Sequence, residues 1–172
     1  VDYLAVATGV GVIVPLDKSL PNNEIESLIK RSEVEAIFYS KKYDEVMNKI
    51  KEQNETNLKY FISMDLEKEE NGIKSQKELA EQGKALIDNG NRDFLDAKID
   101  NEKMGIMLFT SGTTAMSKAV MLSHKNICSN LADIASVIKV TEKDRFLSFL
   151  PLHHVFECTV GFLFSLYVGA ET

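Results

Sequence analysis

The sequence predicts an α/β fold in which a parallel-rich sheet is covered by helices. Up to residue 64, short apolar runs alternate with amphipathic helical segments, which is the pattern that parallel sheets with helical crossovers produce. A second apolar run, 105–110, ends in small hydroxylated residues, and a further amphipathic segment follows from residue 125. The 172 residues are enough for one domain with a core or for part of a larger one.

The first part of the chain, 1–64, predicts a β-α-β-α-β unit. Each predicted strand is a short apolar run, and each predicted helix has apolar residues at i, i+3 and i+4. Proline and asparagine mark the boundaries, because proline closes a strand and asparagine caps a helix. In order, the elements are the end of a buried helix from residue 3, a buried strand over 10–14, a helix capped by residues 21–23, a strand over 36–39, a helix over 43–53 and a strand over 58–64.

The middle of the chain, 65–101, is polar, and a second apolar part, 102–172, follows it. Its charge runs are typical of solvent-exposed segments, and its asparagine- and aspartate-rich stretch is typical of a linker. The elements predicted from here on are a charged loop over 65–78, a polar helix over 76–88, a linker to residue 101, a buried strand over 105–110, a strand that begins near Lys118, a helix over 125–138 and a buried helix over 155–168.

Composition and charge narrow the class of protein. The formal net charge is −6, and no basic patch indicates nucleic acid binding. Cys128 and Cys158 do not have a metal-ligand spacing, so we expect two reduced, buried thiols in a cytoplasmic protein. The chain starts inside an apolar periodic pattern and ends without a terminal signal. We therefore expect a piece of a longer protein that exposes apolar surface and self-associates.

The most informative segment runs from Phe109 to Val120. After the predicted strand, residues 110–115 are all small, and they offer backbone N–H groups together with four hydroxyls. Such a loop can bind a polyphosphate, because its amides form an anion-binding nest and its hydroxyls donate further hydrogen bonds. Lys118 adds a mobile positive charge. The segment therefore predicts a phosphate site for phosphoryl or nucleotidyl transfer.

Two other interpretations of this loop are open at this point. Gly112 and Lys118 have the spacing of a P-loop, but Ser117 replaces its second glycine and Ala119 replaces its magnesium-binding serine or threonine. The residues after Lys118 also favour a strand, whereas a P-loop leads into a helix. The second alternative is a turn rich in serine and threonine that binds no ligand.

Other features near the loop favour structural roles. Ser123 is predicted to cap the following helix, and His124 in its first turn is predicted to orient the loop. The apolar residues within 156–164 favour core packing, with an acyl-chain channel as the alternative.

Three blocks of the sequence resemble signatures of the adenylate-forming superfamily, which contains acyl-CoA synthetases, luciferases and the adenylation domains of peptide synthetases. The first is the loop, followed by residues 123–126 (Ser-His-Lys-Asn), which is similar to the family's TSGTTG-x-PKG-V stretch and its S-H-x-N. The second is residues 149–157, which are similar to the family's LPL-x-H block in the form found in long-chain fatty acyl-CoA ligases. The third is residues 4–17, which resemble its early LA…G…VPLD segment. The chain thus resembles an internal piece of the large N-terminal domain of a bacterial long-chain fatty acyl-CoA ligase.

The resemblance implies which residues bind ATP. The implied catalytic residues are Lys118 and His154. His154 matches the position whose side chain lies beside the α-phosphate and the acyl carboxylate, and a histidine of the pocket wall is the alternative. The implied contacts to the ATP phosphates are Thr110, Ser111, Gly112, Thr113, Thr114 and Lys118.

The resemblance also implies a reaction. A fatty acid or other carboxylate attacks the α-phosphate of ATP to give acyl-AMP and pyrophosphate, and the thiol of CoA then displaces AMP. Mg²⁺ is expected to be bound by residues outside this chain. Peripheral membrane contact of the longer enzyme is left open. Because the family's base, ribose and metal segments are missing, we expect the 172 residues alone to be inactive.

Three loop residues depart from the family's pattern: Ala115, Ser117 and Ala119 stand in place of glycine, proline and glycine. Glycine adopts positive φ without cost, and alanine does not. Either Ala115 or Ala119 is therefore held near positive φ, or the loop over 111–117 relaxes and binds phosphate poorly; we expect relaxation. These substitutions leave open a non-catalytic nucleotide-binding remnant as an alternative function. A second alternative is an adenylation domain that loads a carrier-protein thiol.

Overall fold

Two units make up the part of the chain that the computed structural model describes, residues 2–110 and 117–172. One, which we call the terminal unit, contains residues 3–18 and 98–172. The other, which we call the middle unit, contains residues 19–97.

The described residues form six α-helices and five strands. The α-helices are α1 (Asp2–Ala5), α2 (Asn22–Ser32), α3 (Asp44–Gln53), α4 (Gln76–Asp88), α5 (His124–Val137) and α6 (Phe164–Val168). Two π-helical segments, Val6–Val10 and Glu157–Leu163, continue α1 and precede α6, and a 3₁₀ turn over Lys41–Tyr43 precedes α3. The strands are β1 (Ala36–Tyr39), β2 (Tyr60–Ser63), β3 (Lys74–Ser75), β4 (Met104–Thr110) and β5 (Lys118–Ser123).

The middle unit contains the predicted parallel sheet. Its strand order is β1-β2-β3, and both pairings are parallel, with Ile37 opposite Phe61. The apolar faces of α2 and α3 are buried, as the i, i+3, i+4 spacing predicted. The residues that form these faces are Ile25, Leu28 and Ile29 of α2 and Val46, Met47 and Ile50 of α3. The predicted parallel pairing of 36–39 with 58–64 is confirmed.

One strand lies inside the segment for which we predicted only a charged loop, 65–78. β3 extends the sheet by two residues, with Ser75 opposite Ser63. The Ser75 hydroxyl donates a hydrogen bond to the carbonyl of Leu66 (2.6 Å) and accepts one from the backbone N–H of Glu78 (3.2 Å), so it also caps α4. A strand of two residues is too short to show a hydrophobic period, and the charged residues around it are typical of a loop.

The strand predicted over 10–14 is wrong. The backbone kinks at Gly9, whose φ of 146° is not helical, and Val10 at the end of the π-helical segment is 70% exposed. Only Ile13 pairs, in an isolated parallel bridge with Ile106 of β4. Its N–H donates to the carbonyl of Gly105 (3.0 Å) and its carbonyl accepts from the N–H of Met107 (3.0 Å). Ile13 thus joins β4 in the terminal unit and is not a strand of the parallel sheet.

The terminal unit is built around an antiparallel hairpin of β4 and β5 and the helix α5 that follows it. α5 begins with the predicted cap: the Ser123 hydroxyl accepts from the Asn126 N–H (3.2 Å), and the Asn126 side-chain oxygen accepts from the Ser123 N–H (3.0 Å). Ile106 and Leu108 of β4 pack with Cys158 in the core. The predicted helix over 155–168 is confirmed as the π-helical segment and α6, in which Phe164 is a core residue.

The two cysteines differ in environment. Both are free, and Cys158 is buried as predicted. Cys128 is exposed, and the expectation that it is buried was wrong, because its position in α5 faces away from the core. Among the described residues, no helix combines the length and the apolar character needed to cross a lipid bilayer.

Large apolar side chains are exposed in the terminal unit, as we expected. Leu147 is 82% exposed and Phe149 is 74% exposed, and both lie between α5 and the second π-helical segment. Self-association through such surface stays a prediction.

Candidate functional site

The hairpin brings Thr110 and Lys118 together at the end where its connecting loop begins and ends. They are the last residues of β4 and the first of β5, and they pair directly across the strands. The Thr110 hydroxyl donates to the carbonyl of Lys118 (3.5 Å). The segment between them is the predicted phosphate loop. The other four predicted contacts, Ser111, Gly112, Thr113 and Thr114, lie outside the described residues.

The side chain of Lys118 is exposed at the edge of this loop. Within residues 2–110 and 117–172, no carboxylate lies within ion-pair distance of its ammonium group. Nine other lysine and arginine side chains, and His153, do have such a carboxylate partner. A cation that no described carboxylate neutralises, at the end of a loop rich in hydroxyls and amides, is suited to bind an anion.

Ala119 does not have the strained conformation that we considered. It lies within β5, opposite Phe109 of β4. The non-glycine residues with positive φ in the described part of the chain are Glu33, Asn54 and Asn71. The family's glycine position is therefore occupied here by an ordinary strand residue. Ala115 lies outside the described residues, and Ser117 immediately precedes β5.

His154 is exposed and sits just before the second π-helical segment. Its backbone N–H donates to the carbonyl of Pro151 (2.9 Å), and its carbonyl accepts from the N–H of Cys158 (2.9 Å). Its ring Nδ1 accepts from the N–H of Phe156 (3.4 Å). Because Nδ1 is an acceptor, the neutral imidazole carries its proton on Nε2. Nε2–H is thus the donor that this ring offers to a ligand.

The neighbouring histidine has a different role. His153 Nε2 lies 3.4 Å from Asp17 Oδ2, and the two side chains are 23% and 26% exposed. Asp17 belongs to the block over residues 4–17, and the sequence does not predict the pair, because 136 positions of chain separate the partners. His153 is tied to Asp17, and His154 is the histidine that remains exposed.

A buried carboxyl group lies beside this block. Glu157 is 3% exposed, and its Oε1 accepts a hydrogen bond from the Ser148 hydroxyl (2.6 Å). The carboxyl also fills the space above Gly161, where an added Cβ would stand 2.2 Å from Oε1. Sequence reasoning assigned Glu157 no role. The available signal was a glutamate followed four positions later by a glycine inside an apolar helix.

The described residues suggest no metal centre. Within residues 2–110 and 117–172, no group of three histidine, cysteine, aspartate or glutamate side chains could hold a metal ion.

Comparison with known proteins agrees with the resemblance found in the sequence. Residues 1–172 match the family described as "AMP-binding enzyme". The chain is 31% identical over 160 residues to a "CoA ligase" of Gibberella moniliformis, covering 93% of this chain and 24% of that protein. It is 32% identical over 162 residues to "Long-chain-fatty-acid--CoA ligase 1" of Homo sapiens, covering 87% of this chain and 23% of that protein. The chain therefore spans about a quarter of the length of these relatives.

Solved structures share the fold. ATP-bound MatB from Rhodopseudomonas palustris superposes with a TM-score of 0.74 at 23% identity, covering 98% of this chain and 31% of that chain. At this level of identity the likeness concerns the fold alone. It confirms the predicted α/β fold class.

Proposed function

Because the chain belongs to the AMP-binding enzyme family, we propose that it acts within an ATP-dependent ligase that joins a fatty acid to CoA. The observation that carries the proposal is the pairing of Thr110 with Lys118 at the two ends of the hydroxyl-rich loop. This pairing supports a site in which the hydroxyl and the cation bind a polyphosphate together with amides of the loop.

The proposed reaction has two steps. A carboxylate oxygen attacks the α-phosphorus of ATP, the bond from that phosphorus to the bridging oxygen breaks, and pyrophosphate leaves with acyl-AMP formed. The sulfur of CoA then attacks the acyl carbonyl carbon, its proton is lost, and AMP leaves.

Lys118 is proposed to stabilise the phosphate charge. Its ammonium is exposed and has no ion-pair partner among the described residues, so binding an anion does not require another pair to break. Thr110 is proposed to line the same site with its hydroxyl. Ser111, Gly112, Thr113 and Thr114 are proposed to complete it with amides and hydroxyls.

His154 is proposed to face the reacting groups. Its Nε2–H can donate to an α-phosphate oxygen or to the acyl carboxylate, because Nδ1 is engaged by the N–H of Phe156. A donor at that position would stabilise the negative charge that grows as the carboxylate attacks phosphorus.

Mg²⁺ is expected to accompany ATP. The described residues contain no three-ligand cluster for it, so no step above is assigned to a metal-binding residue of this chain. Turnover is proposed for the longer enzyme and not for these 172 residues alone, since the chain spans about a quarter of its relatives' length. A cytoplasmic location is proposed with it.

The proposal is tested in the full-length protein that contains this chain. Fatty-acid-dependent exchange of pyrophosphate into ATP reports the first step, with acetate and an aromatic acid as comparison substrates. Thioester formation is then measured with CoA and with a carrier protein that bears a phosphopantetheine thiol. We expect exchange with fatty acids and a CoA thioester.

The alternatives give different results. Exchange with fatty acids but a thioester on the carrier protein alone would identify a carrier-loading enzyme. ATP binding without exchange, for any of the acids, would identify a non-catalytic nucleotide-binding remnant and would contradict the proposal.

A further inference from the structure

We propose that Glu157 is a positioning residue for His154: its buried carboxyl fixes the loop over residues 148–156 that carries this histidine. The inference rests on the proposed function, since it assigns His154 to the reacting groups. It concerns how the fold holds that side chain, which neither the family match nor the relatives' names describe.

The first observation is the burial of the carboxyl. Glu157 is 3% exposed, and a buried carboxyl is costly unless it is hydrogen-bonded. Its Oε1 accepts from the Ser148 hydroxyl at 2.6 Å. Ser148 and Glu157 stand on either side of His154 in the sequence, so this bond closes the loop that bears the histidine.

The second observation is the space that Gly161 leaves. A Cβ added there would lie 2.2 Å from Oε1, 2.5 Å from Cδ and 2.9 Å from Oε2 of Glu157. Gly161 is itself buried in the π-helical segment, so any larger residue would have to displace the carboxyl. The carboxyl thus occupies the space that Gly161 leaves, and from there it contacts Ser148.

Two further contacts fix the loop, one at the backbone of His154 and one at the side chain of His153. The carbonyl of His154 accepts from the N–H of Cys158, the residue that follows Glu157 (2.9 Å). His153 Nε2 lies 3.4 Å from Asp17 Oδ2. These contacts hold the loop at His153 and His154. The start of the loop, at Ser148, is held by its bond to the Glu157 carboxyl.

The test uses the full-length enzyme and distinguishes the position of the Glu157 carboxyl from its charge. Ser148→Ala removes the donor on an exposed residue, so it leaves the fold intact. Gly161→Ala pushes the carboxyl away from Ser148 without changing its charge. Glu157→Gln keeps an oxygen that can accept the bond. Glu142→Ala, an exposed glutamate of the same unit, and Gly83→Ala, a helical glycine with open space beside it, are the matched controls.

We expect Ser148→Ala and Gly161→Ala to lower kcat for pyrophosphate exchange by about 5- to 100-fold, the range that misplacing a catalytic group produces. The KM for ATP should change little, because the phosphate loop is untouched. Glu157→Gln should stay within about threefold of the wild type, because it keeps the hydrogen bond. Both controls should behave as the wild type.

Two readouts distinguish this role from a merely structural one. In a His154→Ala background, Ser148→Ala should have less than about a twofold further effect, because residues that act as a unit are not additive. In addition, diethyl pyrocarbonate should modify His154 faster in Ser148→Ala than in the wild type, measured by peptide mass spectrometry with His124 as the internal reference.

The inference is overturned if Ser148→Ala exchanges at the wild-type rate, or if Glu157→Gln loses as much activity as Gly161→Ala, which would assign the effect to the charge. An equal further loss in the His154→Ala background with unchanged His154 modification would also overturn it. Failure of the proposed function is distinguishable from all of these, because the wild-type protein itself would then show no exchange.

Discussion

The imidazole of His124 lies directly against the α-carbon of Gly105. A Cβ added at Gly105 would stand 2.6 Å from His124 Nε2, 2.8 Å from Cε1 and 2.9 Å from Cδ2. His124 is the first residue of α5, and Gly105 lies in β4, the strand that ends at Thr110. The beginning of α5 therefore packs on the strand that leads into the predicted phosphate loop. Whether His124 also orients the loop itself stays a prediction.

This contact predicts that Gly105→Ala destabilises the protein. The methyl group would have to displace the imidazole, and we expect the free energy of unfolding to fall by about 1–3 kcal/mol, measured by urea denaturation. Gly83→Ala in α4 is the matched control, because nothing lies within 4 Å of its added Cβ. It should raise stability by about 0.5–1 kcal/mol. Equal effects of the two substitutions would contradict the account of Gly105.

The capping box of α5 predicts a smaller loss. Ser123→Ala removes the hydroxyl that accepts from the N–H of Asn126, and we expect a loss of about 1 kcal/mol in the free energy of unfolding. Ser136→Ala, in the last turn of the same helix, is the control. Its hydroxyl only donates to the carbonyl of Asp133, so the substitution should be neutral or slightly stabilising. A Ser123→Ala protein as stable as the wild type would show that the cap contributes nothing.

Local patterns predicted the elements that have enough residues to show a period. α3 and α4 lie within one residue of their predicted bounds, and α2 begins at its predicted cap, because apolar spacing and capping residues are local signals. β3 has two residues and was missed. The apolar run at 10–14 reduces to the Ile13 bridge, because Val10 still belongs to the helical segment that is kinked at Gly9.

Contacts between distant residues could not be predicted in this way. The bond from Ser148 to Glu157 and the pair of Asp17 with His153 depend on how the terminal unit packs, and no single pattern contains both partners. The sequence motif predicted that Thr110 and Lys118 belong to one site, but their pairing across the hairpin was not predicted.

The buried pair of Tyr3 and Cys158 predicts a loss of stability at alkaline pH. The Cys158 thiol donates to the Tyr3 hydroxyl (3.3 Å), and burial raises the pKa of both groups above their usual ranges. Both groups are neutral in the folded protein. Their contribution is complete below the pKa values of the unfolded chain and is lost as the pH rises from there through the folded pKa values.

We therefore expect the free energy of unfolding to fall as the pH rises above about 8.5, where a free thiol begins to ionise. The fall should be less steep in Cys158→Ala and in Tyr3→Phe, measured by urea denaturation at a series of pH values. Cys128→Ala, which removes an exposed thiol, should keep the wild-type slope. The same slope in all four proteins would exclude this origin of the alkaline loss.

The position of Ala119 in β5 changes what restoring the family's loop residues should do. Ala119→Gly replaces a strand residue opposite Phe109, and we expect it to cost about 0.5–1 kcal/mol of stability without tightening ATP binding. The double substitution Ala115→Gly with Ser117→Pro, outside the paired strand, should lower the Kd for ATP, measured by calorimetry in the full-length protein. Tighter binding in Ala119→Gly alone would show that this alanine does hinder the loop.

Pyrophosphate exchange in the full-length Lys118→Ala protein tests the claim that Lys118 binds the phosphates of ATP in an acyl-adenylating ligase. Loss of the charge-assisted hydrogen bonds should raise the KM for ATP and slow exchange, by about 1.5–3 kcal/mol in kcat/KM. Lys139→Ala, which removes an exposed lysine of the same unit, should exchange at the wild-type rate. A Lys118→Ala protein that exchanges pyrophosphate as fast as the wild type would contradict the claim and would remove Lys118 from the site.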